Sequence, residues 1–316
     1  MMLRAIVVAA AALLAASCAS VPPPPAPRTQ PALRVTDLTD DFAAAFDAAA
    51  EQPDAERAAA IRAAMAPQLP GFYDPARYGE RAARYEERMV AYMAEFPARR
   101  DAIAAVARRF AAMFDPAVAD FEQRIGPLPT DTPVFLVVSM GEFDGASRDL
   151  GGRSHLLFGA DMIAQYHGGE ARAFVQHELF HIYHGRRFAR CAEAWCALWS
   201  EGLATHAAQQ LNPGASDAEL LLTIPEPIRP ALEAHRAEAV CAVLARLDSR
   251  DRADHNALFS GARLSSNLPP RFGYLVGLWV AADLGRTRSL TALAEWEGPE
   301  LRAAIEQSLG DMADCA

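Results

Sequence analysis

The run Ala171-Arg172-Ala173-Phe174-Val175-Gln176-His177-Glu178-Leu179-Phe180-His181-Ile182-Tyr183-His184 decides how this chain is read. It is expected to form one helix, Glu170 to about His184, entered from Gly168-Gly169. On a helix, His177 and His181 lie about 6 Å apart along the axis and about 40° apart around it. Both imidazoles then face one way, as two ligands must to reach a single Zn²⁺ at roughly 2.0–2.1 Å. Glu178 lies about 100° further round. It is off the ligand face but beside the metal, where it can take a proton from an attacking water.

A catalytic zinc keeps three protein ligands and one open position. His184 is about 10 Å along the axis from His177, too far to share an ion. It is read as a helix-end or supporting histidine. Gly185 follows, but Arg186-Arg187-Phe188 supplies no further His. The better third ligand is Glu201, in Trp199-Ser200-Glu201-Gly202-Leu203-Ala204-Thr205-His206. It stands 20 positions after His181, room for one helix to end and a second to return. That second helix is expected from near Trp195 to Asn212-Pro213-Gly214.

His-Glu-x-x-His followed by Trp-x-Glu-Gly-x-Ala resembles the gluzincin peptidases, most closely the aminopeptidase N family. The resemblance spans about 40 residues. It implies a zincin-like core with one Zn²⁺ on His177, His181 and Glu201, and Glu178 as general base. Gluzincins also place a Tyr or His at the oxyanion. The residue that fits is Tyr274, in Pro269-Pro270-Arg271-Phe272-Gly273-Tyr274-Leu275-Val276-Gly277. In this superfamily an edge strand before the motif helix takes extended peptide by strand addition. Residues 154–159 are expected to be that strand, with His155 against substrate. There are two departures. Ser139-Met140-Gly141-Glu142-Phe143 does not match the Gly-x-Met-Glu-Asn motif of the aminopeptidase N family. Thr205 stands where thermolysin-like enzymes carry an Asp that orients a histidine; Asp161 is the expected substitute. His206, His235 and His255 have no partner spacing and are read as surface or core residues.

The address comes from the first residues. Arg4 precedes an apolar run, Ala5 to Ala16, too short to span a membrane. Leu14-Ala15-Ala16-Ser17-Cys18 resembles the lipobox of bacterial lipoproteins, with Ala15 where Leu is preferred. It implies a signal peptide over 1–17, lipid on Cys18, and the periplasmic face of the envelope, at the outer membrane. Val21 to Pro31 reads as an extended Pro-rich spacer within a linker over 18–34. Cys191, Cys196, Cys241 and Cys315 remain, an even number that reads as two disulfides in an oxidising compartment. Three pairings are open, and Cys191–Cys196 with Cys241–Cys315 is the expected one.

Composition is globular, with 52% hydrophobic and 22% charged residues. The net charge is −10 and no Lys/Arg cluster stands out, which speaks against nucleic-acid binding. The expected fold class is α+β, mostly α. Residues 35–125 read as a helical subdomain, with helices near 39–50, to about 66, 76–96, 98–114 and 115–125. Pro97 and Pro116 are the expected breaks. Gly126-Pro127-Leu128-Pro129 then punctuates the chain. Residues 126–316 read as the zincin-like domain, with strands at Pro133–Val138 and His155–Phe158 and a loop over Gly141–Gly152. Its later helices are expected near 217–222, 228–247, 272–284, 289–296 and 299–309.

These expectations add up to zinc-dependent hydrolysis of a peptide or protein substrate in the cell envelope. Two other readings fit the same residues: a degenerate zinc-binding lipoprotein, or a hydrolase of another amide such as a peptidoglycan cross-link. The intact Glu178 argues against degeneration, since a pure ligand site needs no base.

Overall fold

The computed structural model describes residues 33–167, 171–189 and 191–315. The expected signal peptide, the expected lipid site Cys18 and most of the Pro-rich linker lie outside the described residues. The described chain is one compact unit of helices around a small mixed sheet, an α+β fold that is mostly α.

The apolar run Val134–Val137 forms β2, buried at three of its four positions. Sheet order is β1-β2-β4-β3. β1 (Val35–Asp37) and β4 (Arg153–Gly159) run parallel to β2 on either side of it. β3 (Gly145–Leu150) pairs antiparallel with β4 and forms the outer edge.

This corrects two expectations. β3 falls in the segment read as a loop, and β4 is an interior strand, not the edge. Polar Ser147, Arg148 and Asp149 hid β3 in the sequence, because one face of an edge strand need not be apolar. A signal was nonetheless present. Gly151 and Gly152, at φ 65° and 79°, are the two central residues of a tight hairpin.

The first helices are α1 (Thr39–Ala48) and α2 (Asp54–Met65). A 3-10 turn at Pro75–Arg81 leads into α3 (Ala82–Arg124), a single helix of 43 residues. It runs through Pro97 and Pro116, where breaks were expected. Each proline removes one N–H donor, but both rings lie on the exposed face. The buried stripe of Phe96, Ile103, Phe110, Phe114 and Phe121 continues past them. Burying each such ring contributes about 1.5–3 kcal/mol, enough to offset a lost hydrogen bond.

α3 joins the two halves of the sequence. Phe110 and Phe114 pack on Phe158 of β4, at 4.9 and 6.1 Å between ring centroids. Further along, Phe121 meets Phe180 and Tyr183 of the motif helix, at 6.5 and 5.8 Å. Residues 35–125 therefore share sheet and core with the rest of the chain.

α4 (Ala160–Tyr166) precedes the motif helix α5 (Arg172–His184). α6 (Ala194–Leu211) carries Glu201. Then follow α7 (Arg229–Ala234), α8 (Arg236–Leu244), α9 (Arg252–Phe259) and α10 (Gly273–Leu284). α11 (Leu290–Ala294) and α12 (Gly298–Met312) complete the fold. The expected helix at 217–222 is a series of turns, and α9 was not foreseen. Cys191 bonds Cys196 across the loop joining α5 to α6, and Cys241 on α8 bonds Cys315. Both bridges fit an oxidising compartment. Among the described residues, no helix is long and apolar enough to cross a membrane.

Candidate metal centre

His177 and His181 face the same side of α5, as their spacing requires. Their Nε2 atoms are 3.0 Å apart. Glu201 Oε2 lies 3.4 Å from the first and 3.3 Å from the second. Tetrahedral ligands at 2.0–2.1 Å from an ion stand roughly 3.4 Å from one another, so this donor set fits one divalent metal. Among the described residues, these three form the one group of His, Cys, Asp or Glu able to hold a metal ion.

The electrostatics suit the role. Burial lowers the His177 pKa, so the ring stays neutral and offers a lone pair. Burial alone would raise Glu201, but His181 and His177 outweigh it and hold the carboxylate well below its usual range. Two hydroxyls of α6 stand behind the rings: Ser200 Oγ at 3.4 Å from His181 Nδ1, and Thr205 Oγ1 at 3.5 Å from His177 Nδ1. Thr205 also donates to the Glu201 carbonyl at 2.8 Å. It therefore occupies, as a weaker partner, the place the sequence reading gave to a carboxylate.

Asp161 does not fill that place. It accepts hydrogen bonds from Ser139 N, Ser139 Oγ and Gly141 N, at 2.7, 2.9 and 2.8 Å, and fixes the loop after β2.

Glu178 lies half-buried beside the triad, and desolvation pushes its carboxyl up to about 7. Asp144 and Glu201 push it further up, while His181 and Arg271 oppose them. Its carboxyl rests on the backbone of β3. A Cβ at Gly145 would come within 2.8 Å of Glu178 Cδ and 2.7 Å of Phe174 Cζ. Only glycine leaves room there for both side chains.

Tyr274 reaches the site from the first turn of α10. Its ring stacks with His177 at 6.3 Å between centroids. Burial raises its pKa, with Glu201 adding to the effect, so the phenol keeps its proton. A close crossing of α6 and α10 places it there. A Cβ at Gly202 would lie 2.2 Å from the carbonyl carbon of Gly277, and one at Gly277 would lie 2.6 Å from the Leu198 carbonyl oxygen. The two backbones touch one residue after Glu201 and three after Tyr274, which sets both side chains against one point.

Three neighbours were missed in the sequence or quoted without a role. Arg271 lies over the Tyr274 ring at 4.4 Å, on a backbone with φ 64°. Such a φ is uncommon outside glycine and clusters at functional sites. Asp144 pairs with His167 at 3.0 Å. Burial would raise Asp144, but the His167 contact and Arg271 outweigh it and hold it below the usual range. No motif flags this pair, because its members meet only through the sheet.

The triad opens into a cleft of 530 Å³. β3 from Gly145 to Arg148 forms one wall. α5, α6, Tyr274 and the Cys191–Cys196 bridge form the others. His255, read as a surface or core residue, lies half-exposed along its rim. His155 sits on β4, where Nδ1 meets the Arg153 carbonyl oxygen at 2.8 Å, away from this cleft. His184 is buried against Phe188, at 4.7 Å between ring centroids. His206 is buried on α6, and His235 lies 3.8 Å from Glu238.

The chain matches no described protein family, no curated protein and no solved structure.

Proposed function

We propose that this protein is a zinc-dependent peptidase of the gluzincin type. The observation that carries the reading is Glu178, a half-buried carboxyl pushed up to about 7 by burial, set beside a three-residue cluster able to hold a metal at the head of an open cleft. A pure storage or structural metal site has no use for such a group.

When bound by His177, His181 and Glu201, zinc lowers the pKa of water toward 7 and polarises a carbonyl as a Lewis acid. The rest falls to the chain. Glu178 takes a proton from the attacking water and returns it to the leaving amine. A carboxyl near neutrality serves both directions. Tyr274 keeps its proton and donates a hydrogen bond to the oxyanion of the tetrahedral intermediate. Arg271 holds the phenol by its position over the ring. Ser200 and Thr205 orient the two imidazoles. β3 offers its unpaired edge to an extended peptide, the role first given to residues 154–159.

The disulfides support a site outside the cytoplasm. We place the protein on the periplasmic face of the envelope, tethered through Cys18.

The test pairs metal analysis with digestion of a peptide library by the wild type and by Glu178→Gln. One zinc per chain is expected in both. Cleavage should fall about 10²- to 10⁴-fold in the variant, the usual worth of a general base. Equal cleavage by both proteins would sink the mechanism. Zinc with no cleavage of any peptide would leave a binding protein.

A further inference from the structure

Beside the metal ligands, both helices leave part of the cleft unfilled. Gly185 follows His181 by four positions, and Ala197 precedes Glu201 by four. Each stands about one helical turn from a ligand, on that ligand's own face. Both line the cleft. Neither carries more than a methyl group, so a notch opens next to the metal centre. A Cβ at Gly185 would meet the His181 carbonyl oxygen at 2.9 Å and no atom of α6.

The walls of the notch are apolar. His184 and Phe188 stack at 4.7 Å between ring centroids, and Trp195 meets Phe188 edge-on at 6.0 Å. The Cys191–Cys196 bridge completes the lining, and sulfur is a weak hydrogen-bonding partner.

Polar groups nearby are already engaged. The His181 carbonyl oxygen accepts from Gly185 N at 2.9 Å, and that of His184 accepts from Arg187 N and Phe188 N at 2.8 and 2.9 Å. The Tyr183 carbonyl oxygen takes the Arg187 guanidinium at 2.8 Å. Ser200 Oγ faces His181 Nδ1. The charged residues of the joining loop turn elsewhere. Arg186 pairs with Asp131, and Glu193 pairs with Arg250. Among the described residues that line the cleft, Arg148 is the one Lys, Arg, Asp or Glu besides Glu178 and Glu201. It belongs to the β3 wall, where it lies 5.0 Å from the Phe143 ring centroid and 3.4 Å from Glu142.

We propose that this notch holds an uncharged, apolar side chain of the substrate, from a residue next to the scissile bond. The inference rests on the peptidase reading and names its substrate class: peptides with a leucine-, methionine- or phenylalanine-like residue at that position. Such a side chain gains by leaving water. A charged one would lose its hydration and find no partner. Selection comes from both effects, and it is built by the loop that joins the two ligand-bearing helices.

Two measurements test this. In the first, a peptide library is digested and the cuts are read by mass spectrometry. At one position beside the cut, apolar residues should be favoured over Asp, Glu, Lys and Arg by roughly tenfold or more. In the second, peptide hydroxamates, which bind a zinc site without being cleaved, are titrated into the zinc-loaded protein by calorimetry. A benzyl side chain should bind roughly tenfold or more tightly than a carboxymethyl one. Ala197→Leu fills the notch. It should keep one zinc per chain and reduce the ratio of benzyl to methyl affinity by about tenfold. Ala192→Asp places a carboxylate on the exposed loop, where the fold tolerates it. It should shift preference toward an aminobutyl side chain. A library cut without preference, hydroxamates bound equally or not at all, or ratios unchanged in both variants overturns the proposal. A library left uncut sinks the peptidase reading instead, and the hydroxamate ratio still decides whether the notch takes an apolar side chain.

Discussion

The two walls of the metal cleft are built on different principles. The helical wall is local. α5 delivers His177, Glu178 and His181 through its own 3.6-residue repeat, and α6 adds Glu201 from 20 positions on. The strand wall is non-local. β3 exists because β4 pairs with it, and it reaches Glu178 only because Gly145 has no side chain. Residues that carry chemistry by type can sit on a helix and be read one by one. Residues that carry it by leaving space are visible only once their neighbours are placed.

The comparison can be broken most directly at the helical wall. His177→Ala or Glu201→Ala should abolish stoichiometric metal, taking it from one ion per chain to none, with cleavage lost alongside. Elemental analysis of the purified variants checks this. Metal retained at one per chain in either variant would mean that these residues are not the ligands.

A smaller effect should separate the walls by substituting glycines. Gly202→Ala sets a Cβ into the α10 backbone, where neither helix has a flexible end to move aside. It should cost about 3 kcal/mol or more in denaturant unfolding and weaken metal binding. Gly145→Ala meets the ends of two side chains instead, Phe174 and Glu178. It should cost about 1–2 kcal/mol, keep the metal, and cut cleavage by displacing Glu178. Metal loss in Gly145→Ala would show that the strand wall shapes the ligand cluster after all.

The smallest effect concerns acid. His184 is buried near the ligands, and burial lowers its pKa to about 3. The unfolded chain takes up a proton there below about 6.5, while the folded chain does not. Stability from this group is therefore complete above about pH 6.5 and is lost as pH falls toward 3. Between pH 7 and pH 5 the loss should be about 2 kcal/mol. Unfolding of His184→Gln over that range should show a shallower slope. Parallel slopes for variant and wild type would assign the acid sensitivity to other groups.

Much of the site was legible without coordinates, because its chemistry is concentrated in residue types that rarely serve elsewhere. His177, His181, Glu201 and Tyr274 all meet at one point, as the sequence reading placed them. The reading failed where a long-range partner decided the outcome. Asp161 is acidic, buried and upstream of the motif, yet a loop of three donors claims it. Pro97 and Pro116 look like helix ends until the aromatic stripe of α3 finds the sheet and α5 to pack against.

The sequence by itself determined the three residues that could hold a metal, the carboxylate beside them, the mostly helical class and the even set of cysteines. Each of these depends on residue type at a spacing that a helix or a compartment fixes. Tertiary structure decided which strand forms the cleft edge, what stands behind each imidazole, and how close α6 and α10 approach. Those depend on contacts between residues tens of positions apart. Their energies are set by burial and by the space left free, and neither quantity is written in any one segment.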